Sequence, residues 1–157
     1  MTPPDASGSI DGPLTTSIRQ WCEDGAFPVM TEPLKVASTA PNPGLDGAAA
    51  DLDGSHELAR LGRWPGLLWR LQLLLRECVS EHVRPQDPWD CGWWRVGSPD
   101  AAAGFRPRRA TLLLVREVDM GALNTLLDAL RTKSAIYEKP VRVLVISEAA
   151  QVGMERL

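Results

Sequence analysis

The stretch that decides the fold is TLLLVREVDMGALNTLLDALR, residues 111–131, followed at 139–147 by KPVRVLVIS. Residues 110–115 form a continuous apolar run, which is typical of a strand buried on both faces, and VRVLVIS, 141–147, is a second stretch that predicts a buried strand. Between them, four leucines recur at helical spacing: Leu123, Leu126, Leu127 and Leu130. Strand, helix and strand within about 36 residues predict a βαβ unit, and therefore two parallel strands.

The ends of the predicted helix carry suitable residues. Asp119 stands directly before the leucine pattern, where a side-chain oxygen can accept hydrogen bonds from the first free backbone N–H groups. Arg131 and Lys133 fall in the last turn, where the helix dipole favours cations. Asp119 is therefore predicted to be a helix cap, in preference to a catalytic acid.

Upstream, the chain predicts a long helix and a further strand. Pro65 suits a first helical turn, and the apolar residues of 65–83 recur on one face that is expected to pack against the sheet. This face includes Leu67, Leu68 and Leu71. The segment CGWWRVG, residues 91–97, is rich in residues that favour strands and ends in glycine.

The first third of the chain differs in composition. Residues 1–55 contain two stretches rich in Pro, Gly, Ala, Ser and Asp, which bury too little apolar surface to offset the entropy of ordering. They are predicted to form a flexible arm, with a short helix at 17–24 and a short strand after Pro33 as its only regular pieces. Residues 56–157 are then predicted to form one α/β domain, with a short, mainly parallel sheet and flanking helices.

Composition excludes several classes of protein. A net charge of -3 argues against a nucleic-acid-binding surface. No apolar stretch approaches the roughly 20 residues that a membrane-spanning helix needs. The first ten residues have neither a basic nor an apolar signal-peptide region, and three cysteines indicate reduced thiols rather than a disulfide framework. A cytoplasmic location is therefore expected.

Polar residues follow both strands of the βαβ unit. Arg116, Glu117 and Asp119 come after the first strand, and Ser147 and Glu148 come after the second. In open parallel sheets, ligands bind at the carboxyl ends of the strands, so this is where chemistry is expected. The residue types give less support for a ligand site at these strand ends, because no glycine-rich nucleotide-binding loop is present.

A metal site is the other chemical possibility that the sequence raises. Cys78 and His82 lie four residues apart on one helical face, and Cys22 and Cys91 could complete a zinc site. No CxxC or HxxxH pair exists, and buried free cysteines are common in cores. The prediction is therefore that no residue is catalytic, binds a cofactor or binds a metal.

Residues 111–149 resemble the third strand, helix and fourth strand of response-regulator receiver domains. In that family a phosphate-accepting Asp ends the strand, a methionine follows, and a Ser or Thr before a small residue ends the next strand; Met120, Ser147 and Ala149 match. Arg116 stands at the position of the acceptor Asp. The family's paired acids and its lysine-bearing fifth strand have no clear counterpart. The resemblance implies a flavodoxin-like scaffold, or part of one, used as a pseudo-receiver without phosphoacceptor.

Three of the six tryptophans lie close together in PWDCGWW, residues 88–94. Tryptophan is enriched at interaction hot spots, although these side chains are equally suited to covering the core. The sequence-based hypothesis is a noncatalytic regulatory or protein-interaction module of bacterial type, with a protein partner and no cofactor. Its candidate interaction residues are Trp89, Trp93, Trp94, Arg116, Glu117 and Ser147.

Two alternatives stay open. The first is a small enzyme, or a piece of one, that uses Glu117, Asp119 and Ser147 at the strand ends. The second is an assembly subunit that lends its sheet edge or its tryptophan face to other subunits. The oligomeric state is not predicted.

Overall fold

The computed structural model describes residues 12–55, 65, 67, 68, 71, 85, 87–95, 102, 104–116, 119–148 and 154–157. The helices whose full length lies within these residues are α1 (Gly12–Glu23), α2 (Leu45–Leu52) and α3 (Met120–Ser134). Its strands are β1 (Leu34–Thr39), β2 (Asp90–Trp93), β3 (Thr111–Arg116), β4 (Val141–Ile146) and β5 (Glu155–Arg156).

The strands form a single five-stranded sheet in the order β2-β3-β4-β1-β5. Every neighbouring pair is parallel. The predicted α/β class with a mainly parallel sheet is thus confirmed. The flavodoxin-like arrangement is not confirmed, because flavodoxin-like sheets have the order 2-1-3-4-5, whereas here β1 lies between β4 and β5.

The βαβ unit predicted from residues 111–147 is present. β3 and β4 are adjacent and parallel, with Thr111 beside Val141 and Arg116 beside Ile146. All of β4 is buried, as is β3 up to Arg116, as expected for internal strands covered on both faces. The leucine stripe of α3 is buried against this sheet, because its side chains recur on one helical face.

The predicted flexible arm of residues 1–55 is wrong for residues 12–55. These residues form α1, β1 and α2, and β1 is an internal strand of the sheet. The short helix and strand predicted within the arm are therefore parts of the domain, and the domain boundary predicted near residue 55 has no counterpart in the sheet. Composition predicted a flexible arm because the strands that bury β1 lie at the far end of the chain. The local sequence of β1 does not reveal that pairing.

The sheet separates two apolar cores. The first core lies beneath α1 and α2. It includes Ile18, Trp21, Leu45 and Leu52 together with the sheet residues that face these two helices. The second core lies beneath α3 on the opposite face. Residues alternate between the two: Leu112, Leu114, Leu144 and Ile146 face the first core, and Leu113, Val115, Val143 and Val145 face the second.

A buried arginine ties the α1–β1 connection to the sheet. The side chain of Arg142 is fully buried, and its Nε donates to the Cys22 carbonyl oxygen at 3.0 Å. Its Nη2 donates to the Asp24 carbonyl at 2.8 Å, and its Nη1 donates to the Glu32 carbonyl at 2.9 Å. Burial lowers the pKa of Arg142 from its usual value. The guanidinium thus supplies hydrogen bonds to backbone carbonyls that the turn itself does not pair.

The other upstream predictions meet the structure in part. The strand predicted at 91–97 is present as β2, which is shorter and starts one residue earlier. Most of the predicted 65–83 helix lies outside the described residues. Leu67, Leu68 and Leu71 are helical but at least half exposed, so for these three the expected packing against the sheet is wrong. In the described part of the chain, no helix has the length and apolar composition that crossing a membrane requires.

Candidate functional site

The carboxyl edge of the sheet, where the parallel strands end, brings together residues from distant parts of the sequence. In the register of the sheet, Thr39 of β1 and Arg116 of β3 flank Ile146 of β4. The Ser147 amide then donates to the Thr39 carbonyl oxygen at 3.0 Å. Arg116 and Ser147 therefore lie at the same edge of the sheet.

Three side chains at this edge form a connected set, which we call the Asp46–Trp93–Arg116 unit. The Trp93 indole Nε1 donates to Asp46 Oδ1 at 2.7 Å. The guanidinium carbon of Arg116 lies 4.3 Å from the centre of the Trp93 ring, which is cation–π geometry. Arg116 is exposed, whereas Trp93 is half-buried against the first core. An exposed cation is thus held against an aromatic ring whose own orientation is fixed by a carboxylate.

A turn after β1 places Asp46 in this unit. Asn42 Oδ1 accepts from the Gly44 amide at 2.7 Å, and the Asn42 carbonyl accepts from the Leu45 amide at 3.1 Å. This Asx-type turn reverses the chain into α2 and leaves Asp46 in the first helical turn, where the helix dipole favours a carboxylate. Asp46 is absent from the sequence-based candidates. The signal for it is the turn pattern PNPGLD at 41–46, which composition alone places in a flexible arm.

Asp119 has the structural role that the sequence predicted. Its Oδ2 accepts from the Gly121 amide at 3.0 Å and from the Ala122 amide at 3.4 Å, which caps the start of α3. A carboxylate engaged in this way holds the helix that connects β3 and β4. Asp119 is therefore a cap at this edge.

Replacing Asp119 with Ala is expected to lower the free energy of unfolding by about 1 kcal/mol, because two amides of α3 lose their acceptor. Asp128→Ala is the matched control, since Asp128 is exposed on the same helix and its carboxylate pairs with Arg131 at 3.5 Å. That variant is expected to change stability by less than about 0.5 kcal/mol. Urea unfolding of both variants measures the difference, and equal losses would show that Asp119 does not act as a cap.

The three clustered tryptophans do not form one exposed patch. Trp89 is only 1 % exposed and belongs to the first core, so its predicted role as an interaction residue is corrected to a core role. Trp94 is half-buried on the opposite face, where its ring meets that of Phe105 edge-on at 6.1 Å. Trp93 and Trp94 diverge because Trp94 directly continues β2, pairing with Leu114, and successive residues of extended chain point to opposite faces of the sheet. Of the three, Trp93 is the one whose side chain joins the carboxyl edge.

The remaining candidates are distributed as follows. Ser147 is half-buried and Glu148 is exposed at the end of β4. Glu117 lies outside the described residues, as do Cys78 and His82 of the zinc site considered from the sequence. Cys22 and Cys91 are free and buried in the first core, and burial raises the pKa of the Cys22 thiol to about 12. Among the described residues, no group of three His, Cys, Asp or Glu side chains is arranged to hold a metal ion.

The chain matches no known protein-family model, and no match to it was found among curated proteins.

Proposed function

We propose that this protein is a noncatalytic protein-interaction module, which binds an acidic surface of a partner protein at its carboxyl edge. The observation that supports this is the Asp46–Trp93–Arg116 unit, in which an exposed guanidinium lies over an anchored indole. Arginine and tryptophan are among the residue types most enriched at interaction hot spots. A side chain held in place before binding loses less conformational entropy when it binds, which favours affinity.

The state of two carboxylates at this edge, Asp46 and Asp119, favours binding over catalysis. Asp46 accepts the Trp93 hydrogen bond, and Asp119 caps α3, so both acids already serve the fold. A hydrolytic or acid–base enzyme needs titratable groups that converge on a substrate rather than on backbone amides and an indole. Within the unit, the guanidinium of Arg116 is exposed, whereas Asp46 is half-buried and accepts a hydrogen bond from Trp93.

The proposal does not extend to receiver chemistry. In flavodoxin-like sheets the first strand of the chain lies between the second and the third. Groups at the end of the first strand therefore approach those at the end of the third. Here β4 separates β1 from β3, and the last residue of β3 is Arg116. The regulatory role is therefore proposed as binding alone.

The test uses the full chain to capture proteins from an extract of its source organism, followed by calorimetry with each purified partner. Arg116→Glu is expected to weaken binding at least about 30-fold, because it replaces a central cation of the contact with an anion. Arg131→Glu is the matched control, since Arg131 is an exposed arginine of α3 whose ion pair with Asp128 lies on the surface. This control is expected to change affinity less than about twofold.

Two results would contradict the proposal. One is equal affinity of the partner for the unaltered chain and for Arg116→Glu. The other is that the unaltered chain captures no protein beyond those that Arg116→Glu also captures.

A further inference from the structure

At the opposite end of the sheet from β2, the edge strand β5 pairs with β1. β5 is a two-residue strand, with Glu155 beside Ala37 and Arg156 beside Ser38. The Leu157 amide then donates to the Ser38 carbonyl oxygen at 3.0 Å. Both residues of β5 are exposed, and the strand is held by its backbone pairing with β1 and by the side chain of Glu155.

The side chain of Glu155 is bound by a built carboxylate subsite. Its Oε2 accepts from the Trp21 indole Nε1 at 3.1 Å and lies 3.9 Å from Lys35 Nζ. Trp21 is only 5 % exposed, so its N–H lies in the floor of the subsite. A buried indole N–H requires an acceptor, and the carboxylate of Glu155 supplies one.

Lys35 also holds the surrounding acids in place. Its Nζ lies 2.5 Å from Asp24 Oδ2 and 3.7 Å from Glu32 Oε2, and its side chain is 16 % exposed. The ammonium therefore offsets the negative charge of the neighbouring loop at the point where the carboxylate of β5 enters. On the other face of the sheet, Met154 packs against the second core. This surface thus holds β5 by its backbone, by an acid on one face and by the apolar side chain that precedes it on the other.

We propose that this surface, comprising the outer edge of β1 with Trp21 and Lys35, binds an extended segment of a partner protein that carries a glutamate at the position of Glu155. β5 is the resident occupant, and the partner segment replaces it as a parallel strand. Addition of a strand to a sheet edge supplies main-chain hydrogen bonds for affinity, while side-chain subsites supply specificity. A resident strand of two residues competes weakly, because its backbone pairing with β1 is short.

This surface is independent of the Asp46–Trp93–Arg116 unit. The unit joins α2, β2 and β3, whereas the carboxylate subsite joins α1, β1 and β5. Arg116→Glu is therefore expected to leave strand binding unchanged, which separates failure of this proposal from failure of the proposed function.

The test uses a dye-labelled peptide with the sequence AQVGMERL, residues 150–157, and the full chain as its receptor. Glu155→Lys in the receptor places an ammonium among the N–H donors of the subsite and is expected to release β5. The peptide is then expected to bind this receptor about tenfold more tightly than the unaltered chain, as measured by fluorescence anisotropy. Far-ultraviolet circular dichroism verifies that the Glu155→Lys receptor is folded.

Peptide variants test the subsite. A peptide with leucine at the position of Glu155 is expected to bind about tenfold more weakly, because the Trp21 N–H loses its acceptor. A peptide with alanine at the position of Arg156 is the matched control and is expected to bind equally, since the Arg156 side chain is exposed. Equal binding of the glutamate and leucine peptides, or no binding at millimolar concentration, would overturn the proposal.

A readout on the unaltered chain guards against misfolding of the variant. Saturating peptide is expected to accelerate deuterium exchange at the Leu157 amide while the β1 amides stay protected. Unchanged exchange at Leu157 would count against displacement. Light scattering tests whether the occupant is a second copy of this chain. If the unaltered chain doubles in mass as its concentration rises and the Glu155→Lys variant does not, the occupant is a second copy. The proposal of a partner protein is then wrong.

Discussion

A chain that lacks residues 1–55 is expected not to fold. The truncation removes α1, α2 and β1, so that β4 loses a parallel neighbour along its whole length and the first core loses its helical cover. The backbone groups of β4 that pair with β1 would then be unpaired, and the first-core face of the sheet would be open to water. Circular dichroism and one-dimensional NMR of the purified fragment measure the outcome.

Complementation provides the control for this truncation. Co-expression of residues 1–55 with residues 56–157 as separate chains is expected to restore a soluble, folded complex, because β1 can again pair with β4 while α1 and α2 cover the first core. A 56–157 fragment that by itself shows dispersed amide resonances and cooperative unfolding would contradict the fold described above. It would instead support the flexible arm that composition predicts.

Replacing Arg142 with Met is expected to lower the free energy of unfolding by at least about 3 kcal/mol. Methionine fills much of the same apolar volume, but the carbonyls of Cys22, Asp24 and Glu32 lose their shared donor. The loss exceeds that of a surface arginine because Arg142 is fully buried, and water reaches the freed carbonyl of Cys22 poorly. Urea denaturation should show a lower midpoint with an unchanged slope.

Two further variants make the Arg142 result specific. Arg142→Lys keeps the charge but not the planar group with several donors, so it is expected to recover only part of the lost stability. Arg131→Met changes an exposed arginine and is expected to cost less than about 0.5 kcal/mol. If Arg142→Met and Arg131→Met are equally stable, the guanidinium does not hold the α1–β1 connection to the sheet.

The parts of the fold that the sequence predicted are those encoded locally. β3, α3 and β4 follow one another, and each carries the apolar period of its own structure, so residues 111–147 suffice to infer the unit. Asp119 was predictable for the same reason, because a cap acts on amides two and three residues away. No distant residue is needed for either inference.

The parts that the sequence missed depend on distant partners. β1 is only six residues long, LKVAST, and is made internal by β4 and β5, which lie more than a hundred residues later. Asp46 follows β1 in the sequence, but it meets Trp93, 47 residues later, only because β1 and β2 belong to the same sheet. Trp89 and Trp93 are both tryptophans, but Trp89 is buried and Trp93 is half-buried. The pairing of β2 in the sheet decides this difference, and residue type alone does not.

The most direct test of the fold and of both proposed surfaces is the neighbourhood of β4, measured by amide–amide nuclear Overhauser effects in the full chain. We predict cross-strand contacts from the amides of 141–146 to those of 111–116 on one side and of 34–39 on the other, in parallel register. Contacts from β4 to β3 without any to residues 34–39 would contradict this prediction. In that case β1 would not be an internal strand, and the carboxyl edge and the β5 surface would not exist as described.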